Sequence, residues 1–245
     1  MKLTDIVTIE GKIRLASGLH IGGGDQAIQI GGIDKPVIRH PNNQNPYIPG
    51  SSLKGKIRTL LEHKLGVSQY NKGKPSDVKA NYENDDNARN NADKIAKLFG
   101  NGDPMYGKDT EKAKAIGPSR GVFADAMLSR DFCDVMIENS EYTLSESKME
   151  TKIDRLQGTA ANKSLRTIER VPEGVVFDFS FSVKILKDGD RELVELLKSG
   201  MKLLELDYLG GHGSRGYGKV VFEGLKITES GEVKPLTLPQ NPFAK

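Results

Sequence analysis

Hydrophobic and polar residues alternate strictly in two stretches. Val7, Ile9, Gly11, Ile13 and Leu15 are interleaved with Thr8, Glu10, Lys12 and Arg14. Val175, Phe177, Phe179, Phe181, Val183 and Ile185 are interleaved with Val176, Asp178, Ser180, Ser182 and Lys184. Period-two alternation predicts β-strands with one wet face and one face on a core. Helical spacing appears in two other places. Leu53, Ile57, Leu60, Leu61 and Leu65 follow Pro49-Gly-Ser-Ser52, a helix start with a candidate Ser cap, and Gly66 ends the run. Leu193, Leu196, Leu197 and Met201 predict a second amphipathic helix with a break at Gly200. Residues 121–134 are expected to hold strand material, and 220–222 with 225–227 the closing strand. The order strand, helix, strands, strand, helix, strand fits an α+β fold with a ferredoxin-like β-α-β-β-α-β core, in which strand 175–185 is central.

The segments between these elements are long. After the first strand, Gly22-Gly-Gly24 opens a polar loop that runs to about Pro49 and holds Asp25, Asp34 and His40. Residues 67–118 read as an insertion. It begins with an Asn-rich stretch to residue 98, expected to be mobile, with a short helical return at 95–99. Residues 143–172 are charged and poor in large apolar groups, and read as an extended excursion from the core. The whole chain, 1–245, is read as one domain.

Composition changes this picture little. The chain has 245 residues, 36% of them hydrophobic, which suffices for one core plus an excursion. A formal charge of +3 is weak evidence of an acidic partner until the positions of the cations are considered. Those positions are uneven. Residues 148–170 carry Lys148, Lys152, Arg155, Lys163, Arg166 and Arg170 against Glu150, Asp154 and Glu169, an excess equal to that of the whole chain. Such a cluster suits contacts to a nucleic-acid backbone. Leu156 and Leu165 suit either a wedge against a splayed base or a local clasp. The single cysteine, Cys133, excludes an internal disulfide and a Cys-rich zinc site, and is expected to be a small buried hydrophobe. With no secretory leader evident and no apolar stretch of membrane-spanning length, a soluble cytoplasmic protein with no membrane partner is expected.

Three segments carry candidate chemistry. Gly210, Gly211, Gly213, Gly216 and Gly218 lie in a loop between helix and strand. Such a loop brings backbone N–H groups toward a phosphate oxygen, and Arg215 adds a charged fork. It is neither a P-loop nor a dinucleotide fingerprint, because no Gly-Lys-Ser/Thr follows and the strand comes after the glycines. A tight connection without a ligand is the other reading. Lys54, Lys56 and Arg58 lie in the first turns of the helix after Pro49, where its positive end and a shared face of Lys54 and Arg58 form a candidate phosphate seat. His20 at the loop entrance, and His212 among the glycines, are candidate RNA-positioning groups; a hydrogen bond bracing the loop is the alternative for His20.

The segment Gly-Gly-His-Gly-Ser-Arg-Gly-Tyr-Gly-Lys at 210–219 resembles the C-terminal glycine-rich motif of the CRISPR-associated RAMP superfamily. Tyr47-Ile-Pro-Gly-Ser-Ser-Leu-Lys-Gly-Lys-Ile-Arg58 resembles its first-helix motif. Leu19-His-Ile-Gly-Gly23 followed by Gly32-Ile-Asp-Lys-Pro-Val37 resembles one branch, the repeated backbone subunit of the type III-A effector complex. The resemblance spans about residues 6–225. It implies a modified RNA-recognition-type fold with a long first loop, a helical insertion, a thumb-like β-hairpin at 143–172 and the glycine-rich loop at 209–219. It further implies a filament of copies along CRISPR RNA, with other type III-A subunits as partners, and cleavage of complementary target RNA supported by Asp34. A carboxylate with a pKa near 3.9 is a poor proton acceptor from a hydroxyl, so Asp34 is expected to hold a divalent cation, Mg²⁺ or Mn²⁺ recruited with RNA, or to orient the 2′-hydroxyl and scissile phosphate. Asp25 is a possible helper or a turn residue. A non-catalytic backbone subunit, a type III-B backbone subunit and a CRISPR-RNA processing enzyme are the competing expectations.

Overall fold

The structure, a computed structural model, describes residues 1–23, 35–71, 74–76, 85–101, 110–138 and 143–244. In chain order its main elements are β1 (Asp5–Leu15), α1 (Gly50–Lys64), α2 (Asp86–Phe99), α3 (Thr110–Ile116), β2 (Gly121–Phe123), β3 (Met127–Leu128) and α4 (Arg130–Glu138). There follow β4 (Glu146–Glu150), β5 (Arg166–Arg170), β6 (Val176–Ile185), α5 (Glu192–Leu206), β7 (Val220–Glu229) and β8 (Glu232–Pro235).

The two alternating stretches pair with each other. β1 runs antiparallel to β6, with Ile9 opposite Phe181, so their apolar residues share one face. The antiparallel sheet has the order β2-β6-β1-β7-β8, and β3 also pairs with β6. This is the strand order of the expected ferredoxin-like core, with β6 in the sheet interior. Val7, Ile9, Ile13 and Leu15 of β1 are buried with Phe177, Phe179 and Phe181 of β6. Gly11 interrupts the alternation, and the pairing of β1 with β7 shifts register between Glu10 and Lys12.

Helices α1 and α5 cover the apolar face with Leu53, Ile57, Leu61, Leu193, Leu197, Met201 and Leu204. The expected break at Gly200 is absent, and α5 is continuous. At Gly200 α5 lies close against α1: a Cβ there would lie 2.6 Å from Ile57 Cγ2. The helix start after Pro49 also differs from expectation. Neither Ser51 nor Ser52 caps it; the Gly50 N–H donates to the Asp125 carboxylate at 2.7 Å. An acid from a distant segment thus complements the positive end of α1.

Two further elements depart from the sequence pattern. The expected return at 95–99 is the end of a longer helix, α2, whose N-terminus is capped by the Asp85 side chain accepting the Ala88 N–H. Its inner face is made of Ala88, Ala92, Ile95, Ala96, Leu98 and Phe99, so half of it lacks the large residues that mark a helix in sequence. The strand material at 121–134 stops at Leu128, and α4 follows. Cys133 therefore lies on a helix, half-buried rather than in the core, and burial pushes its thiol above the ordinary range. Inside the fold, Arg120 is 0% exposed. Its guanidinium donates to Asp190 at 3.2 Å and to the Ile116 and Pro118 carbonyls, tying the segment before β2 to the turn before α5. No helix among the described residues is long and apolar enough to cross a membrane.

Candidate nucleic-acid interface

The charged excursion forms its own two-stranded sheet, β4 against β5, with Glu146 opposite Arg170 and Glu150 opposite Arg166. At its tip Asp154 accepts the N–H groups of Leu156 and Gln157, and Gly158 takes a positive φ of 68°. This closed turn presents Leu156, 99% exposed, and Arg155 to solvent. Leu165 is 66% exposed, so the two leucines form no clasp.

The base of this hairpin is joined to the first loop. Asp34, Asp25 and the rest of 24–34 lie outside the described residues, but the residues flanking that segment are paired. Gly22 bridges Val37, and the Ile38 N–H donates to the Ile21 carbonyl at 2.8 Å. Lys35, next to Asp34 in the chain, bridges Ile168 of β5, and the Glu169 N–H donates to the Lys35 carbonyl at 3.0 Å. Glu169 is the central group. Its buried carboxylate accepts the Val37 N–H at 2.8 Å, the Arg39 guanidinium at 2.5 Å and the Ser145 hydroxyl. Burial alone would push this carboxyl up; the hydrogen bonds from Ser145, Val37 and Arg39 outweigh it and hold the group below the usual carboxylate range. His20 is buried and its Nδ1–H donates to the Glu169 carbonyl at 2.7 Å. The bracing alternative is thus the one the geometry carries for His20.

The glycine-rich loop closes the third side. Four of its backbone donors are engaged within the protein: the Gly211 N–H reaches the His20 carbonyl, that of Gly218 the Gly18 carbonyl, and those of Arg215 and Gly216 complete a local turn. Gly218, at a φ of 76°, allows the strand to pass Leu209, whose carbonyl oxygen would lie 1.9 Å from a Cβ. These four donors and Gly218 serve a tight connection and are not turned toward a ligand. The loop's side chains face the hairpin. Arg215 donates to Glu150 at 2.6 Å and to His212 Nδ1 at 3.2 Å. The buried Tyr217 donates its hydroxyl to Glu150 at 2.9 Å, beneath the Lys148 ammonium and the Arg170 guanidinium. Burial and the neighbouring His20 lower the pKa of His212, which favours the neutral ring; its Nδ1 is the acceptor of the Arg215 bond because a guanidinium can only donate.

Between hairpin and glycine loop lies a groove of about 540 Å³ lined by Lys148, Glu150, Thr151, Lys152, Arg166 and Arg215. Four cations face one carboxylate there, the focused positive field that attracts a phosphodiester chain. Arg155 extends it at the tip. The candidate seat on α1 is reduced by comparison. Arg58 is engaged inside the protein with Glu62 and the Gly100 and Ser76 carbonyls. Lys56 pairs with Asp207 at 2.7 Å and lies over the Tyr208 ring. Lys54 alone of the three has no ion pair among the described residues. Glu150, Glu169, Arg39 and Tyr217 were not singled out by sequence reasoning. Only Tyr217, inside the glycine motif, offered a signal. Among the described residues no three His, Cys, Asp or Glu side chains converge on a metal site.

This chain, an α+β core with a basic hairpin and a glycine-rich loop, matches the description of one class, the RAMP superfamily, over residues 12–221. The chain is 42% identical over 222 residues to the CRISPR system Cms endoribonuclease Csm3 of Methanocaldococcus jannaschii, covering 90% of this chain and 80% of that protein. It is 40% identical over 228 residues to Csm3 of Streptococcus thermophilus, covering 91% and 89%. With these relatives the chain belongs to the RAMP superfamily, in its Csm3 family. Among solved structures, the Csm3–Csm4 subcomplex of the type III-A CRISPR-Cas interference complex matches at a TM-score of 0.55 and 31% identity, covering 96% of this chain and 82% of that one. A chain of the type III-B Cmr-β complex bound to cognate target RNA shares the fold, with a TM-score of 0.59 at 16% identity over 91% of this chain and 61% of that one.

Proposed function

We propose that this chain is a CRISPR-RNA-binding backbone subunit of a type III-A interference complex, and an endoribonuclease that cuts guide-paired target RNA through Asp34. Its partners are the guide, the complementary target, further copies of the chain and other type III-A subunits, met in the cytoplasm. The observation that carries the reading is the junction at the hairpin base. The exit of the Asp34 segment, strand β5 and the glycine-rich loop meet beside a groove with four cations. The curated relatives named as Csm3 endoribonucleases, and the likeness to the Csm3–Csm4 subcomplex, support the same assignment.

The groove and Lys54 bind and orient the RNA backbone, and the exposed Leu156 and Arg155 at the hairpin tip meet the bases or the opposite strand. Asp34 orients the 2′-hydroxyl and scissile phosphate. A Mg²⁺ or Mn²⁺ ion, held by Asp34 together with RNA phosphate oxygens, would supply charge stabilisation at the phosphate. The test uses the guide-loaded complex and end-labelled matched target on a denaturing gel, with Mg²⁺ and with chelator. Wild type should cut in Mg²⁺ only. Asp34→Ala and Asp34→Asn should bind target but lose roughly a hundredfold or more in single-turnover rate. Tightly bound, uncut target in every condition would reduce the chain to a non-catalytic backbone. Wild-type cutting by both variants would remove Asp34 from the reaction, and repeat cleavage by the isolated chain would favour a processing enzyme.

A further inference from the structure

Glu150 occupies an unusual position in the groove. It is the one carboxylate among the lining residues, and its side chain is 11% exposed. One of its oxygens accepts the Tyr217 hydroxyl at 2.9 Å. The other accepts Arg215 Nη1 at 2.6 Å and lies 3.5 Å from Arg166 Nη2. A single oxygen between two guanidinium groups is the arrangement a phosphate oxygen would adopt in the same place.

The groove nevertheless remains short of acceptors. Glu150 is shared by Arg215 and Arg166 while Lys148 and Lys152 line the same space. Arg166 reaches Glu150 only through the longer contact, and its Nε is buried with no hydrogen-bond partner among the described residues. Buried donors in folded proteins are normally satisfied, so an unpaired one in a cationic groove points to a ligand that brings more oxygens than one carboxylate does. A phosphodiester has two non-bridging oxygens per linkage, and a strand supplies several linkages. Tyr217 lies on the far side of Glu150 and is buried, so the carboxylate keeps one hydrogen bond when the arginines turn away from it.

We propose that Glu150 is a resident counter-anion: it holds Arg215 and Arg166 in the free protein, and an RNA phosphodiester entering the groove takes over both guanidinium groups and displaces the carboxylate from them. The proposal rests on the reading of this groove as the RNA seat. Glu150 then weakens every RNA that enters. Short or loosely held strands compete poorly with a carboxylate that is already in place, whereas a strand anchored along the rest of the chain overcomes it. The carboxylate thereby suppresses stray RNA binding while keeping the arginine forks ordered.

The test is binding of a short fluorescein-labelled single-stranded RNA of mixed sequence to the full-length chain, by anisotropy across a KCl series. Glu150→Gln retains the size of the side chain and an acceptor oxygen for Tyr217 but removes the charge. It should bind RNA about fivefold tighter or more at low salt, the factor for one unit charge acting across ~4 Å in a water-like dielectric. Its plot of log affinity against log salt should be steeper by roughly 0.7, one further single-strand phosphate contact. Arg166→Ala and Arg215→Ala should bind more weakly than wild type, and the gain from Glu150→Gln should shrink in the Arg215→Ala background. A Glu150→Gln protein with the wild-type melting temperature that binds RNA equally or more weakly would overturn the proposal, as would a Glu150→Gln gain that persists undiminished without Arg215. Unchanged binding in both arginine variants would also overturn it, by removing the groove as the seat. Target cleavage by the guide-loaded complex is read separately on its gel, so a failure here and a failure of the nuclease reading are distinct results.

Discussion

Replacing Glu169 with Ala removes the acceptor that joins the hairpin to the first loop, and its cost follows from the three donors it leaves behind. The Val37 N–H, 2.8 Å from the carboxylate in the native protein, belongs to a buried residue and loses its partner outright. An orphaned buried donor costs about 1–3 kcal/mol. Arg39 is 29% exposed and can turn to water, so its share is small despite the 2.5 Å contact. The Ser145 hydroxyl rotates and adds a fraction more. The sum is about 2–4 kcal/mol, or a melting temperature lower by roughly 4–16 °C in a chain of this size. Glu169→Gln keeps the volume and one acceptor oxygen but turns an amide N–H₂ toward a donor, and should cost about 1–2 kcal/mol. Urea denaturation at neutral pH measures both. The acid branch checks the charge. The folded carboxyl is held below its ordinary value of 4.5 by Ser145, Val37 and Arg39 against the opposing effect of burial. A depressed folded pKa gives stability that is fully present above the unfolded value and lost as pH falls through the folded one. The gap between wild type and Glu169→Gln should therefore be full at pH 7, begin to narrow near pH 4.5, and narrow further as the folded group takes up its proton. A Glu169→Ala protein within about 0.5 kcal/mol of wild type, or a gap that does not change in acid, refutes the reasoning.

Two further variants separate binding from folding. Lys54→Ala should lower the salt slope of guide binding by roughly 0.7–1 with no change in melting temperature, whereas Arg58→Ala, which strands the buried Glu62, should lose about 2–4 kcal/mol of stability; filter binding and thermal melts distinguish them. Arg120→Ala should cost about 3–5 kcal/mol in urea denaturation because it leaves Asp190 charged and 3% exposed, and the double variant Arg120→Met with Asp190→Asn should recover part of the loss.

Much of the architecture was legible in the chain because it depends on local periodicity. Alternation along 7–15 and 175–185 marks two strands that each bury one face, and the spacing of Leu53, Ile57 and Leu61 marks the helix that covers them. The motif segments were legible for a related reason, since the glycine-rich loop, the first helix and the loop before Val37 each have a distinctive short pattern. Local pattern failed where the burying residues are small or where the capping group is distant. The alanines of α2 carry little hydrophobic signal, and the acid at the start of α1 comes from Asp125, 75 residues away.

The assignment of charges was decided only by tertiary structure. Lys54, Lys56 and Arg58 are alike in sequence, yet the folded chain pairs Lys56 with Asp207, encloses Arg58 around Glu62, and leaves Lys54 without an ion pair among the described residues. Glu169 and Arg39 are 130 residues apart, and Tyr217 and Glu150 are 67 apart. Those contacts exist because β5 bridges the exit of the first loop while the glycine-rich loop folds back onto β4. Periodicity tells which face of an element meets the core, because that depends on 2.0 or 3.6 residues per repeat. Which acid meets which base depends on how the elements close on one another, and the energy of an ion pair falls with distance and with solvent that only the packed structure sets. The sequence therefore determined the strands, the helices and the family-bearing motifs; the packed fold decided which cations are left facing a groove and which are held inside the protein.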